Sequence, residues 1–140
     1  MEDLSLHILD IVENSLRANA TTIMIRLMEN TANDTLVLEV IDDGEGMDEE
    51  GLRRSLDPFY STKSGKRVGL GLPFLAQSAE EAEGSLQVES AMGQGTRVTA
   101  TFKRSHIDRK PLGNLEETLH TLKATHPEVS FSFEHLTTDG

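Results

Sequence analysis

Three groups of residues have the types and spacing to do chemistry. Asp10, Asn14 and Arg17 recur at intervals of four and three, so a helix would stack a carboxylate, an amide and a guanidinium on one face within reach of one ligand. The carboxylate could orient or deprotonate a nucleophile, the amide oxygen could ligate Mg²⁺, and the guanidinium could neutralise a phosphate. The same spacing also describes an ordinary solvated helix face. Asp42 stands where a run of β-formers ends, with Gly44 and Gly46 just behind it. Its carboxylate could accept a hydrogen bond from the exocyclic amine of adenine while the glycines let the backbone pass close beneath a planar ring. Asp-x-Gly-x-Gly is found in plain turns as well. Gly69 and Gly71 open a helical stretch, where amides can face an anion with no side chain in the way. That pair lacks the lysine pattern of a P-loop and does not follow a strand, so neither a P-loop nor a dinucleotide fingerprint is supported.

The elements that must hold these residues follow from periodicity. Leu4, Ile8, Ile11, Val12 and Leu16 share one side of a helix over residues 4–18, leaving His7, Asp10, Asn14 and Arg17 on the other. Two runs of β-formers, 22–28 and 36–41, flank the turn-forming stretch 30–34 and predict a hairpin. A short acidic helix is expected near 48–55, a mobile Gly- and Lys-bearing loop after Lys63, and a helix from Gly69-Leu-Gly71 to about Ala82, stopped by Gly84. Two more strands, 85–90 and 96–102, enclose the turn 91–95. Beyond Lys103 the pattern loosens. Pro111 and Gly113 suggest a linker, Asn114 and Glu117 have capping-box spacing ahead of a Leu115, Leu119, Leu122 stripe, and Val129, Phe131 and Phe133 alternate as in a half-buried strand.

A chain of 140 residues suits one compact domain with a tail. Its 24 acidic against 13 basic residues, a formal charge of −11, argue against nucleic acid or an anionic membrane surface as a general partner. A nucleotide polyphosphate remains possible, because backbone amides, a few local cations and a metal ion can hold one. Without cysteine there are no disulfides, thiolate catalysis or cysteine-based zinc sites. The opening MEDLSLHILD has neither the basic start nor the apolar run of a secretion signal, and no stretch approaches about 20 apolar residues. A soluble cytoplasmic protein is the expectation.

Taken together, these motifs resemble a known family. Leu9-Asp-Ile-Val-Glu-Asn-Ser-Leu-Arg17 resembles the N box of the GHKL superfamily of gyrase, heat-shock chaperone, histidine kinase and MutL ATPases. Asp42-Asp-Gly-Glu-Gly-Met47 resembles its G1 box, Pro58-Phe-Tyr-Ser-Thr-Lys63 its F-box region, Val68-Gly-Leu-Gly-Leu72 its G2 box, and Gly95-Thr96 its final glycine-threonine element. All five stand in the family's order, over about residues 4–103. The resemblance implies an α+β fold, a two-layer α/β sandwich (Bergerat fold) with a mixed, mostly antiparallel sheet and helices on one face. It implies ATP and Mg²⁺ as cofactors. Asn14 would ligate the metal, Asp42 would read the adenine amine, and Gly44, Gly46 and Met47 would shape the adenine pocket. Arg17 and Lys63 would approach the phosphates, Gly69, Gly71 and Leu72 would contact them through backbone amides, and Thr96 would help on the adenine side. Residues 62–68 would form a short lid.

Asp10 occupies the position of the water-activating glutamate of gyrase and MutL but is one methylene shorter, so its role as catalytic base rests on a shorter reach. Arg17 matches a basic position of many histidine kinases, and the elements around Lys63 and Gly69 lean the same way. The implied activity is γ-phosphate transfer to a partner protein, with a nucleotide-gated sensor or weak ATPase as the alternative. His7 lies one turn before Asp10, too close to swing onto a γ-phosphate, and is expected to be structural or second to the site. Any phosphoacceptor is therefore expected on another protein or subunit. Residues 1–104 would form the ATP-binding domain and 105–140 a helix-strand extension, packed on the same sheet or pairing with a second subunit as a homodimer.

Overall fold

The computed structural model describes residues 4–57, 71–106 and 110–139. Helix α1, Leu4–Arg17, buries Ile8, Ile11 and Val12, each worth roughly 2 kcal/mol relative to exposure. It ends where Asn19 takes a left-handed φ of 61°. Strands β1, Thr22–Asn30, and β2, Thr35–Asp42, form the expected hairpin. Helix α2, Glu49–Ser55, is capped by the Asp48 side chain, which accepts from the Gly51 amide at 2.7 Å. Helix α3, Gly71–Glu81, leads into β3, Ser85–Ala91, and β4, Gly95–Lys103. After a 3₁₀ turn at Arg104–His106 come α4, Lys110–Thr125, and β5, Ser130–Thr138.

The five strands make one sheet in the order β3-β4-β2-β1-β5, antiparallel throughout except that β5 runs parallel to β1. Alternation along β1 and β2 sends Ile23, Ile25, Leu27, Leu36, Leu38 and Val40 into the core beneath the helices. The architecture is the expected α+β, two-layer sandwich. The other sheet face carries charges instead of a second apolar layer. Glu39, only 4% exposed, accepts from Arg26 at 3.2 Å and from Arg97 at 2.9 Å, and Glu134 on β5 stands 3.7 Å from Arg26. On the core-facing side, at the far end of β1, a second buried carboxylate, Glu29, accepts from Arg104 at 2.8 Å and pairs with His135 of β5 at 2.5 Å. Among the described residues no helix is long and apolar enough to cross a membrane.

Two expectations need correction. His7 is not on an exposed polar face: it is buried, with Nε2 2.9 Å from Ser78 Oγ of α3. The reason is that α1 is flanked by α3 and α4 as well as lying on the sheet, so more than one of its sides is covered. The residues around Pro111 and Gly113 are not a linker, and the helix does not begin at Asn114; α4 starts at Lys110. Proline is tolerated in a first turn, where its missing N–H would have had no helical partner. The alternating stretch around Phe131 is a strand of the same sheet, with Ile23 opposite Phe131 and Ile25 opposite Phe133.

Candidate functional site

A pocket opens at the end of the sheet where α1 finishes and β2 gives way to a loop. Ile11 of α1, Ala18 just beyond its end, Leu72 of α3, Val98 of β4 and Met47 supply apolar walls. Asn14, Ser15, Asp42, Gly46, Ser55 and Thr96 supply the remaining surface. The Asp42 carboxylate is fixed from two sides. The Ser15 hydroxyl donates to Oδ2 at 2.6 Å, and the Gly44 amide donates to Oδ1 at 2.9 Å. Ser15 is itself buried, so this oxygen pair is shielded from water and held in one rotamer.

Neighbouring backbone locks the loop that carries Asp42. Asp43 turns the other way and accepts from the amides of Thr21 and Thr22 at 2.8 and 2.9 Å and from the Thr21 hydroxyl at 2.7 Å. These bonds, the Thr22 amide foremost, hold its carboxyl below the ordinary aspartate value. Gly46 has φ 73°, and a Cβ there would sit 1.9 Å from the Ala91 carbonyl oxygen, so the β3–β4 hairpin leaves room only for glycine. The Glu45 carbonyl accepts from the Gly93 amide at 2.7 Å, and the Met47 amide donates to Ser90 Oγ at 2.8 Å.

On α1, Asn14 lines the pocket while Arg17 and Asp10 are exposed. Arg17 donates to Asn14 Oδ1 at 3.0 Å and lies 3.6 Å from Glu13. The fold thus brings together Asn14, Asp42, Gly46, Met47, Leu72 and Thr96 around one pocket. Gly44 sits behind Asp42 against Ala18, Arg17 reaches the site through Asn14, and Gly71 begins α3. Asp10 is not among the lining residues. Lys63, Gly69 and the lid 62–68 lie outside the described residues. Sequence reasoning missed Ser15 and Ser90. A buried serine beside the polar stripe of α1 needs a partner, but its partner is 27 positions away, a separation that helical periodicity does not reveal.

An apolar slot with one immobilised carboxylate, glycine backbone beneath it and an amide at one end defines a class of site, and the chain matches the corresponding family. Residues 2–106 match the family described as histidine kinase-, DNA gyrase B-, and HSP90-like ATPase. The chain belongs to that family, as an ATPase domain of the kind typical of histidine kinases. It is 29% identical over 103 residues to a putative sensor protein of Shewanella frigidimarina, covering 72% of this chain and 16% of that one. It is 34% identical over 88 residues to sporulation kinase C of Bacillus subtilis, covering 63% and 20%. To sporulation kinase E of the same organism it is 41% identical over 79 residues, covering 55% and 11%. The matched part is thus a fifth or less of each of these relatives. Among solved structures, the N-terminal domain of a DNA repair protein superposes with a TM-score of 0.66 at 18% identity, over 98% of this chain and 50% of that one. At that identity the likeness concerns the fold, and its coverage takes in β5.

Proposed function

We propose that this chain binds ATP with Mg²⁺ and presents the γ-phosphate to an acceptor side chain on another protein or subunit. The observation that carries the reading is the Asp42 carboxylate, held by Ser15 and Gly44 in an otherwise apolar slot. A fixed acceptor there suits the adenine amine, and the apolar walls suit the ring faces. From that anchor the triphosphate would run toward Asn14 and Arg17, with Lys63 and the amides of Gly69, Gly71 and Leu72 as further phosphate contacts. The similarity to two sporulation kinases supports phosphoryl transfer over the other activities of the family.

The donor set fits a magnesium ion held mostly by nucleotide. Among the described residues no three carboxylates or histidines cluster as a metal cage, and a cation of this kind takes one or two protein oxygens, with phosphates and water completing its shell. Asn14 Oδ1 would be its protein ligand, and Arg17, which now donates to that oxygen, would turn to the phosphates. Bound metal would neutralise charge on the β- and γ-phosphates. In the transfer itself the bond from the γ-phosphorus to the bridging oxygen breaks while one to the acceptor forms, ADP leaves and the acceptor loses a proton. A water-activating base is not needed, which accords with Asp10 lying outside the pocket lining.

That same placement of Asp10 also favours the alternative of a nucleotide-gated sensor with little turnover. A homodimer that pairs strands through β5 would use its outer edge, because its inner edge is paired with β1. Calorimetric titration with Mg·ATP, followed by incubation with γ-labelled ATP and proteins encoded beside it, tests the reading. Saturable binding with label on a partner is expected. Free phosphate alone would mean an ATPase, binding without turnover a sensor, and no binding would overturn all three.

A further inference from the structure

Ser90 stands at the end of β3, where the glycine loop, the β3–β4 hairpin and Thr96 meet, and its oxygen touches all three. Ser90 Oγ accepts from the Met47 amide at 2.8 Å, lies 3.1 Å from the Gly95 carbonyl oxygen, and lies 2.8 Å from Thr96 Oγ1. We propose that Ser90 is a positioning residue that sets whether Thr96 offers its proton or its lone pairs to the bound base; this rests on the ATP reading above.

A serine hydroxyl has one proton and two lone pairs. Met47 occupies one lone pair, which leaves two arrangements. In the first, Ser90 donates to Gly95 and accepts the Thr96 proton, so Thr96 shows the pocket only lone pairs. In the second, Ser90 donates to Thr96, and the Thr96 proton is released toward the pocket at the expense of the longer contact with Gly95. Concerted rotation of the two hydroxyls, about Ser90 Cβ–Oγ and Thr96 Cβ–Oγ1, converts one into the other. Asp42, fixed by Ser15 and Gly44, is an acceptor in both. Adenine carries, beside its amine, a ring nitrogen that accepts, so it selects the second arrangement. A purine with a carbonyl at that carbon carries a ring N–H instead and selects the first. Thr96 lines the pocket along with Asp42, so its polarity bears on which base is held. The Met47 contact ties this choice to the position of the glycine loop.

The test is calorimetric titration with Mg·ATP of the full chain as wild type, Ser90→Ala, Ser90→Thr, Thr96→Val and the Ser90→Ala/Thr96→Val pair, with circular dichroism to confirm folding. Ser90→Ala and Thr96→Val should each weaken ATP about tenfold, while Ser90→Thr, which keeps the hydroxyl, should stay within about twofold. The double variant should fall within about threefold of the weaker single one, because the serine has no hydroxyl left to orient. A purely structural anchor at Met47 would instead give losses that multiply toward about a hundredfold. That result, or a Ser90→Thr as weak as Ser90→Ala, overturns the relay. Should Ser90→Ala not fold, Ser90→Cys replaces it in the same cycle and the same coupling decides. A wild type that binds no ATP overturns the ATP reading and the relay with it, whereas wild-type binding with multiplying losses overturns the relay alone.

Discussion

The two ends of the pocket are built differently. At the Asp42 end every polar group is already engaged by its own fold: Asp42 by Ser15 and Gly44, Asp43 by Thr21 and Thr22, Met47 and Thr96 by Ser90. At the Asn14 end the groups are exposed or partly so, and they lean on each other, Arg17 on Asn14 and on Glu13. Surroundings account for the contrast at Asp42, which is half-buried against the buried Ser15, while Asp43 is held by the amides at the start of β1 although exposed. A carboxylate in an apolar slot must be satisfied within the protein, whereas a guanidinium in water can wait for a phosphate at little cost. On the ATP reading proposed above, the Asp42 end would be a preorganised base end, and the Asn14 end would be a phosphate end that takes its final form only with its ligand.

The largest effect should come from Asp42→Asn. A carboxylate can accept from Gly44, Ser15 and an adenine amine together, but an amide must turn its NH₂ either toward the Gly44 N–H or toward the oxygen site facing Ser15 and the base. One donor then meets another. ATP affinity measured by calorimetry should fall on the order of a hundredfold, with or without Mg²⁺. Unchanged affinity would remove the adenine assignment and with it the idea of a preorganised base end.

A smaller and conditional loss is expected at the other end. Asn14→Ala should weaken ATP about tenfold in excess Mg²⁺, yet match the wild type within about twofold when the metal is chelated, because the amide's part is to ligate. Arg17 loses its bond to Asn14 in this variant but keeps Glu13, 3.6 Å away, and is exposed. Equal losses in both conditions would mean that Asn14 shapes the pocket and does not hold metal. The contrast between the two ends would then weaken.

The base end was the more legible in sequence, and its geometry explains why. Asp42, Gly44, Gly46 and Met47 are close in the chain, so one loop carries most of the chemistry, and the strand-ending position of Asp42 follows from the β-formers before it. What stayed hidden were the partners that hold that loop: Ser15, brought in by the packing of α1 on the sheet from 27 positions away, and Ser90, brought in by strand pairing from 43 positions away. Runs of β-formers and the turns between them revealed four strands, and alternation revealed the fifth, because it survives where one face is buried. It could not reveal that Glu29 and Glu39 would be buried, since a charge in a strand normally marks the wet face, and here arginines cover them. His7 was misplaced for a related reason: a helical wheel assigns one buried face, and α1 is covered on more than one side.

The smallest effect expected concerns stability, and it tests whether the base end is fixed before any ligand arrives. Asp43 ties the loop to the start of β1 through the Thr21 and Thr22 amides and the Thr21 hydroxyl, and those bonds lower its pKa from the ordinary aspartate value. A carboxyl whose folded pKa lies below its unfolded one contributes stability that is complete above the unfolded value, about 3.9 for aspartate. The contribution is lost as pH falls through the folded value. Asp43→Asn should therefore lower Tm by a few degrees near neutral pH, with the gap to the wild type closing as the solution is acidified below the carboxylate range. Because Asp43 is exposed, solvent screening keeps the effect modest. A Tm gap that is independent of pH would place the loss in the shape of the loop and not in the charge. A gap that appears only with ATP bound would mean that the ligand organises the base end too.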